Sequence, residues 1–506
     1  MTALNAARRA VDLASLPDEV DVLVVGLGVT GAGVALDAAS RGLRVLAVDA
    51  QDFAFGTSRW SSKLVHGGLR YLAKLQVGVA HESAVERDIL MTRTAPHLVR
   101  PIATFIPLGP RMSTGQTALT LGGFWAGDVL RMAARTPTSV LPRPRRVARA
   151  EATALCPAVS RDGLRGALIG HDGQLEDDAR LVTALVRTAA REGATVLNHT
   201  RALEVTGTSA TLRDELSGST HHVRAKAVIN AAGVWAGHVV PGLRLRPSRG
   251  THLVVRAEAI PGLTVALTAP VPGETNRFVF ALPQPDGMIY VGLTDEEVGT
   301  EFPDVPTHAD HEVTFLLDVI NGVLARPVTR DDIVGIFSGL RPLIDADGAT
   351  ADLSRKHAVL TSDTGVITIV GGKLTTYRRM AEDAVDAAAA HAGLAASPCR
   401  TTHLPLIGAG PVPSGAPERL VRRHGSEAAE VLANAVAVSG RTEAEVLRPV
   451  ADVSGPTFAE LVWAVTHEAA MTVDDLLDRR TRIGLVPADR VVAEPAAREA
   501  LALVGR

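Results

Sequence analysis

The apolar positions of this chain fall into short runs before they form longer stripes. VDVLVV, residues 20–25, is β-branched and apolar save for Asp21, and a glycine bounds it, which predicts a short buried strand. AGVALDAASRG then takes helical spacing and stops at Gly42, and RVLAV predicts a second strand ending at Asp49. The same order returns twice. AKAVINAAG runs from a strand into a glycine turn, and GVITIVGGKLTTYRRM reads as strand, glycine pair and helix. Between about residues 244 and 334, the runs THLVV, RFVFAL and MIYVGL predict an antiparallel sheet. Past about residue 398, PLIGAGPVPSGAP is Pro- and Gly-rich and reads as a linker. PERLVRRHGSEAAEVLANA and TFAELVWAVTHEAA, beyond it, carry helical spacing. The pattern is that of an α/β protein with a helical C-terminal part, and no internal repeat is visible.

Composition narrows this. A chain of 506 residues holds two or three domains, and 46% apolar against 21% charged residues predicts a well-buried fold. A net charge of −3 argues against a nucleic-acid binder driven by bulk charge. Cys156 and Cys399 are far apart, forming neither a disulfide framework nor a metal cluster, so no metal site is predicted and a reducing cytoplasm fits. The N-terminal MTALNAARRAVDLASLPDEV is too polar for a secretory segment, and no 18-residue apolar run predicts a membrane span.

Between the first strand and helix stands Gly26-Leu27-Gly28-Val29-Thr30-Gly31, a G-x-G-x-x-G, with Asp49 closing the second strand 21 residues past Gly28. Glycines here let backbone N–H groups approach a pyrophosphate at a helix N-terminus, and the acid accepts from a ribose hydroxyl. The acid favours NAD or FAD over NADP and does not separate the first two. The next stretch, GTSRWSSKLVHGGLRYL at 56–72, has neither a helical nor an alternating period, and its small residues surround Lys63, His66 and Arg70.

That block resembles the FAD-dependent glycerol-3-phosphate dehydrogenases, within the broader flavin amine and hydroxy-acid oxidases. Further blocks follow in the family's order: APHL, DDARL at 177–181, INAAGVWA at 229–236, GTHLVV at 250–255, GLTD at 292–295, SGLRPL at 338–343, VGGKLTTYRRMAE at 370–382 and HEAAMTVDDLLDRRTRIGL at 467–485. Trp60 stands where a small residue is usual. The resemblance implies a discontinuous, Rossmann-like FAD-binding domain (18–100, 165–243 and 335–395). It also implies an antiparallel-sheet substrate domain (101–164 and 244–334), a linker (396–414) and a C-terminal helical cap (415–506).

It further implies oxidation of sn-glycerol 3-phosphate to dihydroxyacetone phosphate, with electrons passed to a quinone. An oxidase reducing O₂ and another flavin oxidoreductase of the superfamily stay open as alternatives. A flavoprotein partner of RNA modification also stays open, with little support from the charge balance. The family's respiratory-membrane habit implies a cytoplasmic protein peripheral on the inner face of the cell membrane. Six arginines within residues 131–150, after the apolar ALTLGGFWAGDVL, fit a lipid surface about as well as a solvated loop. A homodimer stays open.

The chemistry needs a base for the hydroxyl proton, cations for the phosphate and donors around the flavin. Candidate cofactor residues are Gly26, Gly28, Gly31 and Asp49; Thr57, Ser58 and Ser62 as donors; His66 against the ring; and Gly67, Gly68, Ala202, Gly233, Trp235, Gly372, Leu374 and Thr375. For the phosphate, arginine's planar fork suits, and Arg341, Arg70 and Arg355 are the candidates, with Arg277 weaker. His252, on a predicted strand of the substrate sheet, is the candidate base and substrate contact, with His66 its competitor. Lys373 stands at a helix start, where a cation is unfavourable unless an anion offsets it, which marks it for flavin or substrate.

Overall fold

The computed structural model describes residues 3–68, 76–274, 277–299, 301–344, 357–451 and 455–504. Arg70 and Arg355 lie outside them.

The first predicted strand, Glu19–Val25, lies inside an eight-stranded sheet. It pairs in parallel with Val45–Val48 on one side and with Thr220–Asn230 on the other. Ile367–Gly371 adds in parallel beyond Thr220–Asn230, and Thr195–Leu197 beyond Val45–Val48. Near-continuous burial of Val22, Leu23 and Val24 is what a strand covered on both faces requires. Helices Val29–Ser40, Asp178–Arg191 and Tyr377–Ala392 cover one face with small residues such as Ala32, Ala35, Ala184 and Ala384. The topology has a functional consequence. The glycine turns after Val25, Asn230 and Gly371 leave the carboxyl ends of neighbouring parallel strands, and so converge on one edge of the sheet.

A second, ten-stranded sheet holds the predicted strands around THLVV, RFVFAL and MIYVGL. Leu245–Arg256 is its backbone, antiparallel to Met288–Gly292 and, along its whole length, to Ile333–Ile344. Pairing is antiparallel throughout the described strands except where Ala266–Pro270 meets Val99–Pro107 in parallel. Gly166–Leu175 and Ile333–Ile344, which fall in segments that the sequence reading gives to the nucleotide part, hydrogen-bond in this second sheet. SGLRPL thereby becomes part of a strand of the second sheet. Helix Asp310–Asn321 closes a separate core with Leu253, Val279 and Val291.

The C-terminal helices, among them Ala428–Ser439, Phe458–His467 and Pro487–Val504, enclose a third core around Trp463. They are bolted to the nucleotide part by buried ion pairs. Arg180 Nη1 donates to Glu468 at 2.8 Å, Arg187 pairs with Glu427 at 2.6 Å and Arg480 with Asp52 at 2.6 Å. The Pro/Gly stretch before them is packed rather than loose: Leu406 and Ile407 are buried, and the Ile407 N–H donates to Thr188 Oγ1 at 3.0 Å.

Candidate functional site

A cavity of about 1540 Å³ runs from the glycine turns to the second sheet. Its nucleotide end follows from the fingerprint. Gly26 has φ +98°, and a Cβ on Gly31 would lie 1.8 Å from the Gly26 carbonyl oxygen, so the tight turn excludes any side chain there. Gly26 and Gly28 line the cavity, whereas Gly31 braces the turn from behind. Ser58 Oγ accepts from the Val29 N–H at 2.9 Å, capping the helix whose N-terminus faces the cavity. Asp49 accepts from the Leu27 N–H at 2.6 Å and the Gln51 N–H at 2.9 Å. Burial outweighs those donors and pushes its carboxyl up to about 6. Two backbone donors leave lone pairs on Asp49 for a ribose hydroxyl. Ala202, Gly233 and Trp235 line this half. The Trp235 ring lies over Gly56, where a Cβ would stand 2.6 Å from it.

In the middle of the cavity the 56–68 segment meets the 371–375 loop. Thr57 Oγ1 donates to the Leu340 carbonyl at 2.6 Å, tying the loop to the Arg341 strand. His66 lines the cavity while its N–H donates to Thr375 Oγ1 at 3.3 Å. Gly372, Lys373, Leu374 and Thr375 line the cavity beside it. Lys373 immediately precedes the helical turn Leu374–Thr376, and its ammonium donates to the buried Ser83 hydroxyl. Gly67 and Gly68 do not reach the cavity wall. The Gly67 N–H donates to Asp172 Oδ1 at 2.9 Å beneath the Arg87 guanidinium, so this glycine serves loop packing.

At the second sheet Arg341 and His252 are brought together by the register that pairs Ser248 with Arg341 and His252 with Phe337. Arg341 donates to Ser248 Oγ at 3.0 Å, Asp295 Oδ1 at 3.2 Å and the Thr294 carbonyl at 3.2 Å. The His252 ring stacks on Phe337 with centroids 4.7 Å apart and 12° between planes. It lies across Gly292, where a Cβ would stand 2.1 Å from the ring. Its Nε2 is 2.8 Å from Ser62 Oγ, and its Nδ1 has no hydrogen-bond partner among the described residues. Burial first, then the charges of Lys63 and Arg341, push this imidazole down to about 3, so it is neutral at physiological pH. Ser62 thus lines the cavity and also faces the histidine. Arg277 lines the same cavity beside Glu274 at 3.1 Å.

Trp60 finds its partner here. It stacks on Phe337 at 5.8 Å, and the Arg59 guanidinium lies 4.0 Å above the indole. Sequence reasoning missed the support beneath. Lys63 is fully buried, donating to Asp178 Oδ2 at 2.9 Å and the Arg59 carbonyl at 2.8 Å. The signal was present, since a lysine in a run of small residues and a doubled acid in DDARL each ask for a partner. Asp295 and Ser83 had no such signal, because they lie 46 and 290 residues from Arg341 and Lys373, the residues they hold.

Comparison with known proteins fits this geometry. The FAD dependent oxidoreductase family matches residues 21–378, and the C-terminal domain of alpha-glycerophosphate oxidase matches residues 363–506. The chain is therefore an FAD-dependent oxidoreductase, and its cofactor is FAD. Glycerol-3-phosphate dehydrogenase 1 of Mycobacterium tuberculosis is 55% identical over 513 residues, covering 99% of this chain and 98% of that protein. The aerobic glycerol-3-phosphate dehydrogenase of Staphylococcus aureus is 35% identical over 77% of this chain and 71% of its own. The crystal structure of the glycerol-3-phosphate dehydrogenase of Bacillus halodurans with FAD superposes with TM-score 0.75 at 26% identity, covering 99% of this chain and 95% of its own. Within the flavin class, this chain belongs to the glycerol-3-phosphate dehydrogenase family.

Proposed function

We propose that this protein oxidises sn-glycerol 3-phosphate at C2 to dihydroxyacetone phosphate. The observation that carries the reading is the continuity of one cavity from the glycine turns to Arg341 and His252. The dehydrogenase name of the mycobacterial relative supports the substrate. FAD fits the nucleotide end, because Gly31 admits no Cβ and Asp49 keeps acceptor capacity, and the turns at 26–28, 231–233 and 371–373 would hold it. When bound, it supplies the two-electron acceptor that no side chain offers. Arg341, fixed by Ser248, Asp295 and the Thr294 carbonyl, would bind the phosphate with its planar fork. Arg277 and Lys373 line the same cavity and add positive charge to it. His252, held neutral, would be the final acceptor of the hydroxyl proton. Arg70 and Arg355 remain candidates from the sequence alone.

The electron acceptor proposed is a quinone met at a membrane surface. Helix Thr114–Ala133 buries the Asp128–Arg131 pair at 2.6 Å along with Phe124 and Leu130, while Leu119, Trp125, Val129 and Met132 are about half exposed, at 55%, 51%, 57% and 49%. Exposed Arg135, Arg143, Arg145, Arg146 and Arg149 follow it, a composition suited to anionic lipid. Leu119 and Gly122 also line the flavin cavity, so a lipid-borne acceptor would arrive beside the site. Among the described residues, no helix is long and apolar enough to cross a membrane.

The test is anaerobic mixing of the yellow holoprotein with glycerol 3-phosphate. Flavin absorbance at about 450 nm should bleach, and an unchanged spectrum sinks the reading. Arg341→Ala should raise the substrate concentration for half-bleaching by an amount worth about 2–5 kcal/mol. Reoxidation of the bleached protein should be faster with a short-chain quinone than with O₂. The reverse order would make it an oxidase.

A further inference from the structure

Ser62 and His252 both line the cavity, joined by the 2.8 Å contact between Ser62 Oγ and His252 Nε2. His252 is only 1% exposed, with Phe337 on one face and Gly292 close against the ring, and Ser62 Oγ is its single side-chain hydrogen-bond partner among the described residues. Ser62 itself is half-buried on the cavity wall. A substrate hydroxyl can approach Ser62 Oγ, and that oxygen, 2.8 Å from Nε2, already occupies the imidazole nitrogen that a proton has to reach. We propose that Ser62 is a catalytic residue, relaying the C2 hydroxyl proton of the substrate to His252.

This inference rests on the reading of His252 as the final proton acceptor. In the step, the substrate O–H bond breaks and its proton joins Ser62 Oγ, while the serine's own proton passes to His252 Nε2. The C2–H bond breaks with its electron pair leaving to the flavin, and the C2–O bond becomes a carbonyl. Charge and electrons balance: the alcohol is oxidised by two electrons, and one proton ends on the imidazole.

The turn carrying Ser62 is built to aim it. Asp178 Oδ2 accepts both the Ser61 N–H at 2.9 Å and the Lys63 ammonium at 2.9 Å, pinning residues on either side of Ser62. Lys63 has φ +57°, a left-handed conformation that sends its side chain under Phe337, 5.3 Å from the ring, while Ser62 keeps the cavity side. A lysine in that conformation is strained backbone held by a buried ion pair, which is how sites keep unusual geometry. The electrostatics supply a gate. Lys63 and Arg341 both oppose an imidazolium, and a substrate phosphate paired with Arg341 would offset one of them. The relay would therefore accept a proton readily only with the phosphorylated substrate seated.

The experiment measures the anaerobic flavin-bleaching rate constant and the dissociation constant of glycerol 3-phosphate in holoprotein variants. Ser62→Ala should slow bleaching at least about 100-fold, the lower range of acid–base catalysis, with the dissociation constant changed less than about threefold. Ser62→Thr, which keeps a hydroxyl, should recover most of the rate. His252→Gln should be as slow as Ser62→Ala, and the double variant no slower than either, because groups acting as one relay are not additive. FAD content, read from the ratio of absorbances at about 450 and 280 nm, should match the parent protein. Loss of FAD in Ser62→Ala would overturn the proposal by making the serine a cofactor ligand. A fast Ser62→Ala beside a slow His252→Gln would overturn the relay and leave the base standing. A fast His252→Gln would overturn both, and point to His66.

Discussion

His252 shows how much one glycine can decide. The imidazole crosses its neighbouring strand at Gly292, where even a methyl group would stand 2.1 Å from the ring. Gly250 does the same for Arg341, with a Cβ there 2.2 Å from Nη2. Both side chains therefore reach the cavity over bare backbone. Gly292→Ala should displace the His252 ring, break its 2.8 Å contact with Ser62 and slow flavin bleaching about 100-fold, while FAD content is kept. Stopped-flow bleaching checks this, and an unchanged rate would mean the ring position is immaterial. Trp60 belongs to the same stack. It departs from the small residue expected there because Phe337 offers it a face and Arg59 covers the other side.

Two helices carry the argument at the next scale. Val77–Ile89 presents Ser83, Glu86 and Arg87 on one face, at the i, i+3, i+4 spacing that makes helix neighbours. Ser83 accepts from Lys373, Glu86 pairs with Arg378 at 2.6 Å, and Arg87 pairs with Asp172 beneath Gly67. One helix thus braces the 371–375 loop, the helix after it and the turn at 66–68. Thr114–Ala133 keeps Phe124 and Leu130 inward but turns Leu119, Trp125, Val129 and Met132 outward. If those outward residues meet lipid, Leu119→Ser with Trp125→Ser should cut sedimentation with vesicles containing anionic phospholipid at least about tenfold, and raised salt should weaken the parent protein's binding. Equal sedimentation of parent and variant would remove the membrane reading and leave the flavin half-reaction untouched.

At the scale of the molecule, buried histidines and ion pairs make acid the natural denaturant. Burial pushes His97 and His467 down to about 4 and His252 to about 3, and His424 falls below the ordinary imidazole range for the same reason. Unfolded, each would titrate near about 6.5, so between that value and about 4 the unfolded chain binds more protons. Stability should therefore fall as pH drops through that window. Below it, loss continues as Glu460, held at about 2 by Arg419 and Arg423 against its burial, is protonated. Asp49, raised to about 6, works the other way, as do Asp37, Glu86 and Asp478, whose carboxyls burial pushes up, and His199, which Asp475 pushes up against its burial. The melting temperature of the holoprotein should decline steadily from pH 7 to pH 5. A flat profile there would contradict these assignments.

Much of this was legible in the sequence because its signals are local. The fingerprint at 26–31 with Asp49, the three strand–glycine–helix passages and the block from 56 to 72 each declare themselves within a few residues, since tight turns and buried parallel strands restrict which residues fit. The α/β class, the FAD-binding half and the helical C-terminal part follow from them. Other features needed the folded chain. That SGLRPL is a strand beside GTHLVV, that Ser62 meets His252, and that Gly67 braces a loop away from the cavity all depend on pairing across long separations. So does the clamp of Lys63 by Asp178, 115 residues away. Sequence determined which residue types could cradle a dinucleotide, because backbone sterics act between neighbours. Tertiary structure alone decided which polar groups share a desolvated site, because their pairing is a property of distance in space.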